Sequence, residues 1–347
     1  MNQLPPQIAL VITTISEPND CLRKFAAESQ QRDYYFVAIG DEKSPGQFEL
    51  PGCDFFNIER QLRSEFSYAQ HCPRGHYARK NIGYLLAMRK QADIIIESDD
   101  DNMPLASFWD LPKQCRQDAL TLKHPGWVNI YRYFTDQLTW PRGLPLDAVR
   151  APLPPFAALK KEPISCPIQQ GLVNNCPDVD AIHRFILPMP KEFRTDRSIV
   201  LRSGAWCPFN SQNTTWFREA FPLLYLPAYC SFRMTDIWRS LVAQRIAWVN
   251  DWGVLYHKPT VRQERNAHNL WDDFEDEIPG HLHNRSIAKA LEKLKLKPGQ
   301  KNLFKNLYTC YEALVSMAII DARELELLNA WVEDFRNIRN DNPLYKF

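Results

Sequence analysis

ADIIIESDDDNMP, residues 92–104, puts three consecutive carboxylates, Asp99, Asp100 and Asp101, directly after an apolar run. Ile94, Ile95 and Ile96 show no polar alternation, which predicts a strand covered on both faces, the habit of parallel sheets. Like charges on neighbouring residues repel, so a triplet at such a strand's carboxyl end calls for a compensating partner. On an extended backbone, residues i and i+2 point the same way. Asp99 and Asp101 are therefore expected to converge, with Asp100 turned aside, and a hard divalent ion such as Mg²⁺ or Mn²⁺ suits that oxygen environment.

Upstream, QIALVITTI (7–15) reads as a buried strand, CLRKFAAESQQ (21–31) as a helix and DYYFVAIGD (33–41) as a second strand. Strand, helix and strand in so short a span define a βαβ unit and a parallel sheet. HYARKNIGYLLAMRKQA (76–92) spaces Ala78, Ile82, Leu85 and Leu86 as one helical face and leads straight into the acidic strand. In open α/β sheets the carboxyl edge of the strands is where ligands bind. The proline-rich stretch 140–200 excludes long helix and reads as extended loops and short strands completing one site. MTDIWRSLVAQRIAW (234–248) returns to helix, and from about residue 286 onward the segments are helical. The expected organisation is an α/β domain over 1–285, with a mixed, mainly parallel sheet flanked by helices. A helical extension follows over 286–347.

With 45% hydrophobic residues the chain can bury a substantial core, and 42 basic against 41 acidic residues leave no global field for nucleic acid. Nine scattered cysteines without a C-x-x-C pair point to reduced thiols. The N-terminus lacks a signal-peptide pattern and no stretch is long enough to span a bilayer. The expectation is a cytoplasmic protein without a transmembrane segment, peripheral membrane association left open.

Around the acidic strand, Arg79 and Lys80 stand at a helix start, where cations and free N–H groups suit phosphate, and Gly83 permits close approach. Thr13, Ser16 and Glu17, after the first strand, and Asp41, after the second, are candidates for the nucleobase end. Asp236 begins the later helix, and an ionised carboxylate there can accept a proton from an attacking hydroxyl. His268, between Asn266 and Asn269, is a candidate metal-binding imidazole. Trp206, Trp216, Trp238, Trp248 and Trp252 read mainly as core. An Asp-x-Asp after an apolar strand also occurs in haloacid-dehalogenase phosphatases, but Asn102-Met103-Pro104 departs from their Thr or Val pattern.

YARKNIGYLLAMRKQADIIIESDDDN, FRMTDIWRSLVAQR and RNAHNLWDDFEDEIPGHL together resemble the STELLO-type glycosyltransferases and, more distantly, the reversibly glycosylated polypeptides. GLVNNCPDVDAIHRF adds an Asn-x-Pro-Asp-x-Asp-Ala stretch similar to the latter. The resemblance extends over about 7–285, without the helical tail. It implies a GT-A-like, Rossmann-type fold and a metal-dependent transferase moving sugar from a nucleotide-sugar, a UDP-sugar favoured, to a glycan or glycolipid acceptor in polysaccharide or glycoconjugate synthesis. It assigns Asp101 and His268 to the metal, Asp99 and Asp100 to the nucleotide side and Asp236 to the base of an inverting reaction, although Thr235 stands where a second acid is usual. A mutase or self-glycosylating protein, needing a reactive arginine such as Arg132, Arg142 or Arg150, is the related alternative; a non-catalytic scaffold is the other.

Overall fold

The first hundred residues build a parallel sheet from short β-branched runs. The computed structural model describes residues 6–110, 114–264 and 269–341. Strand β1 (Ile8–Thr13) is followed by helix α1 (Asp20–Gln31), whose N-terminus is capped by Asn19 accepting from Leu22 N–H. Then come β2 (Tyr35–Ile39), β3 (Asp54–Phe56) and the short helices α2 (Ile58–Leu62) and α3 (Ser67–His71). Helix α4 (Lys80–Arg89) leads into β4 (Ile94–Asp99). β3, β2, β1 and β4 lie side by side and parallel, with Thr13 opposite both Ile39 and Asp99. The carboxyl ends of β1, β2 and β4 therefore open on one edge. Helix α4 is buried from Lys80 to Met88 rather than along one face. Gly83 is where it crosses the sheet most closely, since a Cβ there would come within 2.5 Å of Val11 Cγ1.

Beyond β4 the sheet changes character. β5 (Asn102–Pro104), β6 (Arg116–Leu122) and the short β7 (Gly126–Trp127) precede the 16-residue β8 (Lys160–Asn175). Helix α5 (Ala181–Ile186), β9 (Ser198–Leu201), β10 (Ala205–Trp206), β11 (Asn213–Phe217), helix α6 (Thr235–Val249) and β12 (Trp252–Gln263) follow. β11 runs antiparallel to β4 and joins it to β8, while β8, β6, β9 and β12 close on themselves as a four-strand ring. β7 and β10 form a separate two-stranded pair. The sheet is thus mixed: the N-terminal four strands are all parallel, whereas in the ring the parallel pairs β8–β12 and β6–β9 alternate with the antiparallel pairs β6–β8 and β9–β12. The proline-rich region carries one long strand, β8, where sequence pattern suggested short ones. Pro163 and Pro167 interrupt the apolar periodicity by which a strand is recognised without preventing extended backbone.

Helices α7 (Leu270–Lys293), α8 (Leu303–Ser316) and α9 (Arg323–Asp341) make up the C-terminal helical region. Helix α7 runs across residues 285 and 286. Leu327, Leu328 and Trp331 share one continuous core with α4 and α6. The Asp334 carboxylate accepts N–H groups of Ser67 and Tyr68 at 2.9 and 2.7 Å. Glu324 receives the N–H groups of Ala228 and Tyr229, at 2.9 and 2.7 Å, and the Tyr225 hydroxyl. Among the described residues no helix is long and apolar enough to cross a membrane, and all nine cysteines are free thiols.

Candidate active site

The open edge of β1, β2 and β4 forms one wall of a cavity of about 790 Å³. Strand β4 ends at Asp99, and Asp100 and Asp101 form a turn, so strict side-chain alternation stops there. All three aspartates line the cavity. Each is held differently. Asp99 Oδ1 accepts the Tyr77 hydroxyl at 3.0 Å and faces Lys80 Nζ at 3.4 Å. Asp100 Oδ2 accepts from Thr14 Oγ1 at 2.6 Å, and its carbonyl from Asn19 Nδ2 at 2.9 Å. The Asp101 carboxylate accepts Gln263 Nε2 at 3.0 Å to both oxygens.

Crowding shows in the chemistry of Asp99. Removal from bulk water pushes its carboxyl up to about 7; Lys80 pulls the other way, while Asp101 and Asp100 add to the rise. Lys80 is fully buried and spends its ammonium on Ser98 O (2.7 Å), Tyr77 OH (2.7 Å) and Ser211 O (3.2 Å) as well. An all-oxygen donor set of this kind fits a hard divalent cation that completes its shell with water and phosphate oxygens. Among the described residues no group of three or more His, Cys, Asp or Glu side chains is placed to hold a metal ion.

The facing wall comes from α6. Asp236, in its first turn, receives Arg142 Nη2 at 3.0 Å to both oxygens. Arg142 in turn donates to both oxygens of Asp178, at 2.7 and 2.8 Å, and to the Arg233 carbonyl. Asp236 Oδ2 also accepts the N–H and hydroxyl of Ser211, both at 3.2 Å. Ser211 Oγ lies 2.7 Å from Tyr77 OH, which bonds Asp99. A continuous chain of polar contacts, Asp99–Tyr77–Ser211–Asp236–Arg142–Asp178, therefore crosses the cavity floor. The two walls are locked in register by Arg239 of α6, which donates to both oxygens of Glu97 on β4 at 2.9 and 2.7 Å. Trp216 Nε1 and Tyr84 OH bond the same carboxylate.

The other sequence-derived candidates fall in varied places. Thr13 and Ser16 line the cavity, whereas Glu17 is exposed outside its lining. Asp41 lines it too, with its carboxylate accepting the N–H groups of Gly75 and His76 at 2.8 and 2.9 Å. Gly75 sits at φ +64°, a turn that glycine adopts without strain. Arg79 reaches the lining, but Nε and Nη1 bond Gln61 and Cys72 O, leaving Nη2 without a partner in a buried setting. Lys80 lies beneath the floor rather than in the lining, and Gly83 serves helix–sheet packing, so both differ from the ligand contacts expected of them. His268 and Asn266 lie outside the described residues. Trp206, Trp216 and Trp238 are fully buried, as core. Asp178, Tyr77, Ser211, Phe232 and Gln263 were not singled out for this site from sequence, and Arg142 was considered there only as a reactive arginine, not as the clamp of Asp236. For Asp178 the signal was present in the Asn-x-Pro-Asp-x-Asp-Ala stretch.

The fold and the cavity together define a mixed α/β protein whose parallel-strand edge carries an acidic triplet, faced by a clamped carboxylate on a second wall. The STELLO glycosyltransferases family model matches residues 233–344. The chain is 24% identical over 359 residues to "Probable glycosyltransferase STELLO2" and 25% identical over 359 residues to "Probable glycosyltransferase STELLO1", both of Arabidopsis thaliana. Each alignment covers 96% of this chain and 45% of the relative, so the chain spans less than half the length of the curated relatives it matches. The chain is thus similar to the STELLO glycosyltransferases, in its C-terminal third by the family model and along most of its length by the two relatives. The family match includes all of α8 and α9, correcting the expectation that the resemblance stops near residue 285.

Proposed function

We propose that this chain is a GT-A-like, metal-dependent glycosyltransferase that takes a nucleotide-sugar donor, a UDP-sugar favoured, and passes the sugar to a hydroxyl of a glycan or glycolipid. The observation that carries the reading is the meeting, in one cavity, of the acidic edge of β4 with Asp236 of α6. Asp101, with His268, would hold Mg²⁺ or Mn²⁺, and Asp99 and Asp100 stand on the nucleotide side. When bound, the cation offsets the negative charge that grows on a departing diphosphate.

The chain's own groups have distinct tasks. Lys80 and Tyr77 keep the Asp99 carboxylate fixed, so it need not reorganise when ligand arrives. The β1 and β2 ends, with Thr13, Ser16 and Asp41, supply the shelf for the base. Asp236 faces the acceptor side. In an inverting reaction it takes the proton of the attacking hydroxyl; in a retaining one it orients that hydroxyl. Arg142, bound to both Asp178 and Asp236, keeps the latter's position in either case.

The self-glycosylating alternative requires a nucleophilic arginine. Arg142 is in the cavity but its guanidinium is engaged by two carboxylates, which favour the charged, non-nucleophilic form. Incubation with a UDP-sugar panel tests the proposal directly. Mn²⁺-dependent donor hydrolysis, absent in Asp101→Ala, is expected; hydrolysis unchanged in that variant, or a covalent sugar adduct on the chain, contradicts it.

A further inference from the structure

Helix α7 carries an apolar stripe on its outer face. Trp271, Phe274, Ile278 and Leu282 recur at spacings that keep them on one side of a helix. Trp271 is 69% exposed, Leu282 67% and Ile278 38%. Phe185 and Ile186 of α5 extend the patch, 41% and 67% exposed, with the Phe185 ring 4.7 Å from that of Trp271. At the other end, Arg285 pairs with Asp147 at 2.6 Å, bringing Leu146 (43% exposed) to the same region. These side chains present on the order of 600 Å², at the upper limit for a monomer's largest apolar patch. With a polar rim the face approaches the roughly 800 Å² that each partner contributes to a standard interface.

The charges around the stripe are divided. Asp272, Glu275 and Asp276 flank its start, and Arg285 and Lys289 continue its line toward the end. An anionic lipid surface would meet the acidic half, which repels it. A second α7 laid antiparallel meets complementary charge at both ends. With the two-fold axis at Ile278, Phe274 faces Leu282 of the other copy, and Trp271 faces its Arg285, a cation–π pairing. The face is thus self-complementary, as a two-fold interface must be.

We infer that the α7–α5 face is a homodimer interface, with two copies of α7 packed antiparallel about Ile278. This inference does not rest on the catalytic reading. Sedimentation equilibrium of the whole chain, from low to high micromolar concentration, tests it. The wild type is expected at twice the monomer mass and Leu282→Glu at the monomer mass, with the variant's melting curve still cooperative. Ile278→Cys is expected to give a disulfide-linked dimer under mild oxidation, whereas the wild type gives none. A wild type that stays monomeric throughout, or a monomer that instead co-floats with anionic vesicles, overturns the inference. So does a dimer that Leu282→Glu leaves intact.

Discussion

Asp236 and Asp99 are the two carboxylates whose replacement separates chemistry from stability. Replacing Asp236 with Asn keeps its shape but removes the charge that receives Arg142 and the acceptor proton. Transfer is expected to fall roughly 10²–10⁴-fold if Asp236 is the base, with KM for the donor little changed, as steady-state kinetics with separate donor and acceptor titrations will read. Asp99 behaves oppositely. Its carboxyl sits near 7 against an ordinary 3.8, so between those values the folded state holds a proton that the unfolded chain has lost. Its contribution to stability therefore weakens as pH rises from about 4 to about 7. In metal-free buffer, Asp99→Asn should raise the melting temperature more at about pH 8 than at about pH 5. A pH-independent difference would show that burial does not perturb this group. Tyr77→Phe cuts the polar chain between Asp99 and Ser211, a loss of about 1 kcal/mol of positioning and so roughly fivefold in kcat.

At the level of elements, the site is held by a buried ion pair between β4 and α6. Glu97→Gln leaves the fully buried Arg239 without its counter-charge, and chemical denaturation should show a loss of about 3–5 kcal/mol. The double replacement Glu97→Leu with Arg239→Met is expected to recover much of that loss; equal damage in single and double variants would assign the effect to packing. The parallel β1–α1–β2 unit, β4 and α6 were legible in sequence because unbroken apolar runs and helical spacing are local signals. The ring of β8, β6, β9 and β12 was not, because its register depends on strands far apart in the chain. The same distinction governs the site. Asp99–Asp101 and Asp236 announced themselves by placement at element ends, whereas Arg142 and Asp178 meet Asp236 only through tertiary packing. Lys80 reads as a free cation in sequence, yet burial turns it into a floor support. Glu97 reads as one more acid beside the triplet, and only the fold reveals its partner on α6.

Across the whole molecule, the C-terminal helices are tied to the rest by Glu324, Asp334 and Trp331, which reach α3, α4 and the segment before α6. Trp331→Ala should cost about 3–5 kcal/mol and lower a single unfolding transition seen alike by near- and far-ultraviolet circular dichroism. Two separate transitions would mean that the helices unfold on their own. The central claim concerns the acidic edge of β4: a divalent cation and a nucleotide diphosphate occupy it together. Titration calorimetry of UDP into metal-free chain, with and without Mn²⁺, tests this most directly. Binding should tighten at least tenfold with Mn²⁺ in the wild type, about 1.4 kcal/mol of coupling, and the gain should vanish in Asp101→Ala. UDP affinity that is indifferent to Mn²⁺, or a Mn²⁺ gain that survives Asp101→Ala, contradicts the account.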